Sequence, residues 1–411
     1  ADGHILSWGG YFDDTTPADT DLRIWDISTR ALSLSQPIVE ITPVVESPSN
    51  IIESVAFKGH TDNIMGIREL SDGRILSWGD DKTLRLWDTT GALLATLEGH
   101  NNTVMGAIEL SDGRILSWDY VGMMHLWESD GDAIKGFTSH VGLIWGALEL
   151  SDGHLLSWAY DETVILWDRD GNFIRRLSGN SKGVLEIIEL SNGRLLGRGY
   201  DNDLFLWNSS GDLLRRLAGH TNYVWGMMEL SDGRLLSWGE DTNLCLWDVD
   251  GELITTLRGH TNDVTGAIQL QNGNLLSFGY SGGMRLWDAD GNFIRALEGH
   301  SEQVSAIQLA DGHILSYSDD NTAHFWDSDG NDITTFYESW RGVRQLHDGR
   351  IIAIGEHNQL LLLDSQCNLI STLTGHVMAI KGFIELSDGY ILSYSEDNTL
   401  RLWNIPANLS S

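Results

Sequence analysis

The chain is poor in proline and cysteine, and it lacks long apolar runs. Five prolines in 411 residues do not indicate a disordered linker. Cys245 and Cys367 are the two cysteines, too far apart for a disulfide framework and without metal-site spacing around them. No apolar run is long enough to span a membrane, and no signal peptide is recognisable. We therefore expect no metal or cofactor; the compartment stays open, with the cytoplasm slightly favoured.

Positive charge is also scarce. Lys and Arg number 26 against 59 Asp and Glu, which gives a formal net charge of −33. Nucleic acid and anionic membranes are polyanions, so the charge argues against both as partners. The acidic residues are scattered along the chain, which is typical of a solvated surface rather than of an acidic tail. The charge favours a protein or peptide partner that is neutral or basic.

Glycine and tryptophan are abundant, and they mark a repeat of 40 residues. The pair Gly-His occurs at residues 59–60, 99–100, 219–220, 259–260, 299–300 and 375–376. Trp followed by Asp, Asn or Glu begins at residues 25, 87, 127, 167, 207, 247, 287, 326 and 403, with Leu363-Asp364 as a degenerate copy. The period therefore predicts about ten similar structural units.

One unit contains four short strand patterns. In residues 60–98 these are Ile64–Leu70, Arg74–Trp78, Thr83–Trp87 and Leu93–Leu97. Asp-Gly and Thr-Gly separate the first from the second and the third from the fourth, and Asp-Gly between apolar runs is a strong hairpin signal. Four antiparallel strands per repeat, without a helical period, predict a propeller blade.

The Gly-His and Trp-Asp pairs closely resemble those of the WD-repeat β-propeller family, over nearly the whole chain, and the copies are as alike as in bacterial arrays. We expect an all-β propeller of about ten four-stranded blades in one closed ring over residues 1–411. Blade 1 has insertions at 9–18 and 28–50, and blade 9 (337–373) is degenerate. Blade 1 lacks its inner strand and blade 10 its outer strand. A longer array with two rings, or closure between chains, are the alternatives.

The resemblance implies a buried hydrogen-bonded tetrad of His, Ser, Asp and Trp in each blade. A buried carboxylate needs donors, and imidazole, hydroxyl and indole groups supply them. Because five copies of one constellation serve a fold rather than a catalytic triad, we expect no enzyme. Val121 and Ser281 stand at the Asp position, and Asn180 and Gly197 at the His and Ser positions, so blades 3, 5 and 7 should be weaker. The complete sets are His60, Ser77, Asp81, Trp87; His140, Ser157, Asp161, Trp167; His220, Ser237, Asp241, Trp247; His300, Ser316, Asp320, Trp326; and His376, Ser393, Asp397, Trp403.

The family further implies a binding face, formed by the connections between blades and the loops between second and third strands. Aromatic residues concentrate at its contact positions in blades 3 to 7, whereas blades 2, 8 and 10 carry Asp80, Asp319 and Glu396. Aromatic rings with polar tips suit an interface, and an acidic rim suits basic flanks on a partner peptide or protein. Filling of a wide channel mouth is the other interpretation. The residues are Met105, Tyr120, Leu143, Trp145, Tyr160, Leu185, Tyr200, Tyr223, Trp225 and Tyr280.

Three further patterns are interpreted as structural. Trp78, Trp118, Trp158 and Trp238 recur after the tetrad Ser and should pack between blades. A Glu or Gln series from Glu69 to Glu385 should ring one channel mouth, with arginines such as Arg74 and Arg114 as partners. The Asp-x-Asp-Gly segments, such as Asp168–Gly171, are hairpin turns rather than calcium loops.

The sequence thus predicts a non-enzymatic scaffold or sensor propeller that binds a protein or peptide. One alternative is a self-assembling structural protein, whose incomplete end blades pair between chains. Another is an enzyme that uses deviant blades 1 and 9 through Asp13, Asp14, His347 and His357.

Overall fold

A computed structural model describes residues 54–179, 183–200 and 202–406. By its internal contacts the chain divides into residues 1–49 and 50–411, and the described residues all belong to the second unit. They form 36 strands in nine four-stranded antiparallel sheets. Each sheet is a blade and keeps the number of its repeat, from 2 to 10. The predicted all-β propeller is confirmed. No helix in these residues is long and apolar enough to cross a membrane.

In blades 2 to 9 the strands run in sequence from the inner to the outer edge, and in blade 10 the outer strand is β1. Blades 2 to 5 contain β2 (Ile64–Glu69), β3 (Ile75–Gly79), β4 (Leu84–Trp87), β5 (Leu93–Leu97); β6 (Val104–Glu109), β7 (Ile115–Asp119), β8 (Met124–Trp127), β9 (Ala133–Phe137); β10 (Ile144–Glu149), β11 (Leu155–Ala159), β12 (Val164–Trp167), β13 (Phe173–Arg176); and β14 (Val184–Glu189), β15 (Leu195–Gly199), β16 (Leu204–Trp207), β17 (Leu213–Leu217).

The same order continues through the second half of the ring, where a 3₁₀ turn, Tyr280–Gly282, interrupts blade 7. Blades 6 to 10 contain β18 (Val224–Glu229), β19 (Leu235–Gly239), β20 (Asn243–Trp247), β21 (Leu253–Arg258); β22 (Val264–Gln269), β23 (Leu275–Gly279), β24 (Met284–Trp287), β25 (Phe293–Leu297); β26 (Val304–Gln308), β27 (Ile314–Ser318), β28 (Ala323–Trp326), β29 (Asp332–Phe336); β30 (Arg341–Gln345), β31 (Ile351–Ile354), β32 (Gln359–Leu363), β33 (Leu369–Thr374); and β34 (Ile380–Glu385), β35 (Ile391–Ser395), β36 (Thr399–Trp403) with β1 (Ser54–Lys58).

Strand β1 closes the ring. It pairs antiparallel with β36, from Ser54 opposite Trp403 to Lys58 opposite Thr399, and the chain then continues into β2. The prediction that blade 10 lacks its outer strand was therefore wrong, because residues 54–58 supply it. The ring holds nine blades, and the tenth predicted repeat falls on residues 1–53, outside the described ranges. Blade 10 is thus complete within one chain, which removes the open outer edge on which closure between chains depended.

The hydrophobic core lies between neighbouring blades rather than within them. One cluster joins Trp78 and Leu97 of blade 2 to Val104 and Trp127 of blade 3, and eight others continue the pattern around the ring. Trp158 packs with blade 5 in the same way, and its indole N–H donates to the Leu185 carbonyl at 3.0 Å. The predicted inter-blade packing of these tryptophans is confirmed.

The Glu and Gln series ties each blade to the one before it. Glu109 of blade 3 accepts the Ser71 amide N–H and hydroxyl, both at 2.7 Å, and so caps the inner hairpin turn of blade 2. The series closes on itself, because Glu69 caps the Ser387 turn of blade 10. The predicted arginine partners were wrong: Arg74 instead pairs with Asp72 of its own turn. The amide bond recurs for Glu149, Glu189, Glu229, Gln269, Gln308, Gln345 and Glu385.

Candidate functional site

The tetrad of blade 2 forms a buried chain of hydrogen bonds. His60 Nδ1 lies 2.8 Å from Asp81 Oδ2, and His60 Nε2 lies 2.8 Å from Ser77 Oγ. The Trp87 indole N–H donates to the same Ser77 oxygen at 2.8 Å. Asp81 also accepts the Thr83 hydroxyl at 2.8 Å. Every polar atom of this tetrad therefore has a hydrogen-bond partner, as a buried polar network requires.

The other four predicted tetrads have the same geometry. Their His–Ser distances are 2.7 to 2.9 Å. Their indole N–H groups donate to the Ser hydroxyl at 2.8 to 2.9 Å. Their His–Asp contacts are between 2.9 and 3.2 Å. All five serine side chains are fully buried, so each Ser oxygen serves the fold and is closed to a substrate.

Blade 3 completes its tetrad with a residue that sequence reasoning missed. Val121 stands at the usual Asp position, but Asp119 lies two residues earlier and places Oδ2 3.0 Å from His100 Nδ1. Its other oxygen accepts the amides of Val121 and Met123 at 3.1 and 2.8 Å. His100 still contacts Ser117, at 2.7 Å. The expected weakness of blade 3 is not supported, because a displaced carboxylate does the same work. Its signal was Asp at a position where most repeats have Gly.

Blade 5 replaces its missing tetrad with other contacts. With Gly197 at the Ser position, the Trp207 indole N–H donates to the Ser178 carbonyl at 2.9 Å. Arg198 stands where other blades have the packing Trp, and it pairs with Glu186 at 2.6 Å, at the place of the usual Gly. Asn180 lies outside the described residues. The two substitutions at 186 and 198 are therefore complementary.

Among the described residues, no carboxylate contacts the tetrad histidine of blade 7. His260 Nε2 contacts Ser277 at 2.7 Å, but Ser281 occupies the Asp position within the 3₁₀ turn. Burial, reinforced by nearby Arg285, lowers the pKa of His260 to about 4. His260 is therefore buried in its neutral form.

This neutral burial predicts a specific pH dependence. Because the unfolded pKa is about 6.5 and the folded pKa lower, His260 contributes stability above pH 6.5 that is lost as pH falls. Between pH 7 and 5.5 the loss should be about 1 kcal/mol. Urea unfolding at several pH values should show this loss in the wild type. In His260→Asn the free energy of unfolding should depend less steeply on pH. An equal pH dependence of stability in the two proteins would contradict this prediction.

The predicted contact residues meet at one edge of each blade. The Tyr160 amide donates to the Leu143 carbonyl at 2.8 Å, which joins the loop after β11 to the start of β10, and Tyr120, Tyr200 and Tyr280 make the same bond with residues 103, 183 and 263. The register of the inner strand shifts between Ile144 and Gly146, and Trp145 is the extra residue between them. A β-bulge of this kind redirects a side chain away from the sheet.

These bulge and loop residues are accessible to solvent. Tyr160 is 63% exposed, Trp145 39% and Trp225 38%, and Tyr120, Tyr223 and Tyr280 are also exposed. Met105, Leu143, Leu185 and Tyr200 are half-buried. By contrast, Trp158 is 7% exposed. The exposed rings are thus not part of the packed core. We call the ten residues the aromatic arc; it spans blades 3 to 7.

Comparison with known proteins identifies the type of the repeats. The family model described as WD domain, G-beta repeat matches residues 52–88, 211–248, 251–288, 291–327 and 367–404. These five segments are WD repeats, and the fold is a β-propeller. Its fold is similar to that of a computationally designed protein, Ika8, with a TM-score of 0.58, 21% identity and coverage of 85% of this chain and 98% of that one.

The WD40 propeller domain of Doa1 is a more distant structure, with a TM-score of 0.46 and 17% identity over 87% of this chain and 98% of that one. No curated protein matches this chain. WD40 propellers are generally protein-interaction scaffolds and typically non-enzymatic, which is the level of function that the family supports.

Two exposed apolar residues of this WD-repeat protein were missed at the same face. Val141 is 82% exposed and follows the tetrad His140, where blades 2, 6 and 8 have Thr61, Thr221 and Ser301. Val121 is 49% exposed and lies beside Tyr120. An apolar residue at a position that holds Thr or Ser in blades 2, 5, 6, 7 and 8 was the available signal, and blade 10 has the exposed Val377 there. Both residues extend the apolar surface of blades 3 and 4.

The two described histidines of the enzyme alternative do not converge. His347 follows β30 and His357 follows β31, at opposite ends of blade 9, and Asp13 and Asp14 lie outside the described residues. In the described part of the chain no three His, Cys, Asp or Glu residues are placed to hold a metal ion. The Asp-x-Asp-Gly segments are turns, since Asp168 Oδ1 accepts the amides of Asp170 and Asn172. Both cysteines are buried and free.

Proposed function

We propose that this propeller binds a peptide or protein segment through the aromatic arc. One observation carries the proposal: large aromatic side chains stay exposed at positions where the blade architecture requires none. In blades 2, 8 and 10 the loop position holds Asp80, Asp319 and Glu396, and these blades form equally well. Exposed Trp and Tyr side chains that are rigidly placed are the residues that dominate binding energy in protein interfaces.

The placement of the arc supports one continuous partner surface. Trp145 and Trp225 stand on inner strands, and Tyr120, Tyr160 and Tyr280 stand on adjoining loops at the same edge of their blades. The inner strands of blades 3, 4 and 5 contact their neighbours, as do those of blades 6 and 7. A segment that crosses blades 3 to 7 would thus meet aromatic anchors from each of them.

The charge around the arc supports a partner with basic flanks. Asp80 of blade 2 and Asp319 of blade 8 lie in the loops on either side of it, and Glu240 lies in the loop of blade 6. The formal net charge of the chain, −33, adds a long-range field of the same sign. Such a field raises the association rate of cationic partners more than their final affinity.

The test is a selection of peptides from a displayed random library on the wild-type protein. Replacing Trp145 and Trp225 together by alanine should weaken binding of the selected peptides at least tenfold, because each hot-spot truncation costs about 2 kcal/mol or more. The melting temperature should change little, since both rings are more than a third exposed. Isothermal titration calorimetry with differential scanning calorimetry measures both quantities.

The matched control replaces two exposed aromatic residues on outer strands. Phe173 is 52% exposed and Phe293 51%, and both lie on the rim. Phe173→Ala with Phe293→Ala should leave peptide affinity unchanged. Peptides that bind the arc variant as tightly as wild type would refute the proposal.

A further inference from the structure

Positive charge on the inner strands is confined to three neighbouring blades. The inner strands of blades 3 to 8 contain no Lys or Arg. Those of blades 9, 10 and 2 carry Arg341, Arg344, Lys381 and Arg68. In a chain with a formal net charge of −33, four cations on three adjacent strands form a distinct cationic sector.

The cationic sector borders the centre of the ring. Each inner strand is the edge strand of its sheet, and β2 contacts the inner strands β6 and β34 on either side. Arg68 and Arg344 hold the same register position, opposite Leu76 and Ile352. At this position every other blade carries an apolar residue, and the set is Ile108, Leu148, Ile188, Met228, Ile268, Ile307 and Ile384. Arg68 and Arg344 therefore replace apolar residues that in the other blades pack against the core between blades.

The arginines of this sector lack partners in the described part of the chain. Arg68, Arg341 and Arg344 make no hydrogen bond or ion pair there, whereas Arg74, Arg114 and Arg234 each pair with an Asp of their own turn. Lys381 pairs with Glu396 at 2.5 Å. Partial desolvation by the surrounding strands lowers the pKa of Arg68, against an opposing effect of Glu109. Arg68 and Arg341 are nevertheless exposed to solvent and Arg344 is half-buried, so the three guanidinium groups are accessible to a bound anion.

The carboxylates on the same strands are already engaged. Glu69 accepts the Ser387 amide and hydroxyl, and Glu385 accepts the His347 amide. Blade 9 has Gln345 at the position of this Glu, so its inner strand carries no acidic residue. The three strands therefore hold four cations and two carboxylates, and both carboxylates are bound to turns.

We propose that Arg68, Arg341, Arg344 and Lys381 form a binding site for a polyvalent oxyanion in the centre of the ring. Guanidinium groups bind phosphate and carboxylate oxygens through two parallel hydrogen bonds, which favours arginine at such sites. The site lies in other blades than the aromatic arc. Its ligand is an anion, whereas the partner proposed for the arc has basic flanks. The ligand carries several phosphate or carboxylate oxygens and is small enough to enter between inner strands.

Titration calorimetry with pyrophosphate and with citrate, at constant ionic strength, tests this site and distinguishes the two oxyanion sources. Wild type should bind at least one of them with one-to-one stoichiometry. Arg68→Ala with Arg344→Ala should weaken that binding at least tenfold, and the melting temperature should not fall, because no internal bond is removed. Higher salt should weaken binding as well.

Arg258→Ala is the matched control, because Arg258 is an exposed arginine at the end of the outer strand β21. It should bind the anions as wild type does. Absence of binding to wild type, or equal loss in the Arg258 variant and the double variant, would overturn the proposal. Neither result bears on the aromatic arc, whose test uses peptides and different residues.

Discussion

Phe57→Ala should lower the free energy of unfolding by about 3–5 kcal/mol, the usual cost of truncating a buried Phe. Phe57 is 1% exposed and stands in β1, opposite Leu400 of β36. Its ring lies 5.6 Å from that of Trp87 in blade 2, so it holds the closing strand to both of its neighbours. Urea unfolding measures the loss.

The matched control is Phe137→Ala in blade 3. Phe137 holds the equivalent place in β9, with its ring 5.0 Å from that of Trp167 in the next blade. The hairpin after Trp127 tethers β9 to its own blade, whereas β1 joins blade 10 by pairing alone. Hydrogen exchange in β36 should therefore accelerate in Phe57→Ala and not in Phe137→Ala. Equal exchange in both variants would argue against closure by β1.

Asp119→Ala should destabilise the protein by about 3–5 kcal/mol, as expected when one member of a buried hydrogen-bonded pair is removed. His100 loses its partner, and the amides of Val121 and Met123 lose their acceptor. Asp119 is 0% exposed, so water does not replace it without rearrangement. Thermal and urea unfolding measure the effect.

A rescue variant makes this prediction specific. Asp119→Gly combined with Val121→Asp gives blade 3 the order found in blade 2, with Gly79 and Asp81. The double variant should recover most of the stability lost in Asp119→Gly alone. If both were equally unstable, Asp119 would have a role other than that of the tetrad carboxylate.

The strands and tetrads could be predicted because their determinants are local. Asp72 and Gly73 form the inner turn, where Gly73 adopts a φ of 86° and Asp72 accepts the Arg74 amide at 3.0 Å. Such a turn fixes the register of both flanking strands. The spacing of the tetrad residues follows from that register. Because His, Ser, Asp and Trp recur in the same order in five repeats, their buried structural role could be predicted.

The closure of the ring could not be predicted, because it depends on which third strand the outer strand pairs with. Residues 54–58 have the same pattern as any outer strand, and the sequence does not say whether they pair within repeat 1 or with β36. Blade 9 shows a similar limit. Leu363 replaces the tetrad Trp, and Trp340, from the connection before β30, is buried there with its ring 5.3 Å from that of Phe336.

The residues of the aromatic arc were predicted from the sequence, but their geometry in the blades was not. The period placed Trp145 and Trp225 near the start of inner strands, and only the register showed that each is a bulge residue. Blade 8 pairs without that shift, since the deletion in its repeat removes the bulge position. Whether a repeat offers an anchor thus depends on one inserted residue.

Hydrogen exchange of the wild-type protein with a selected peptide tests the central claim most directly, that the exposed aromatic residues of blades 3 to 7 are the binding surface. Bound peptide should slow exchange in peptides covering Tyr120–Val121, Val141–Trp145 and Tyr223–Trp225. The inner hairpin turns, such as Ser71–Gly73, and the outer strands should be unchanged. Protection confined to those turns or outer strands would contradict the account.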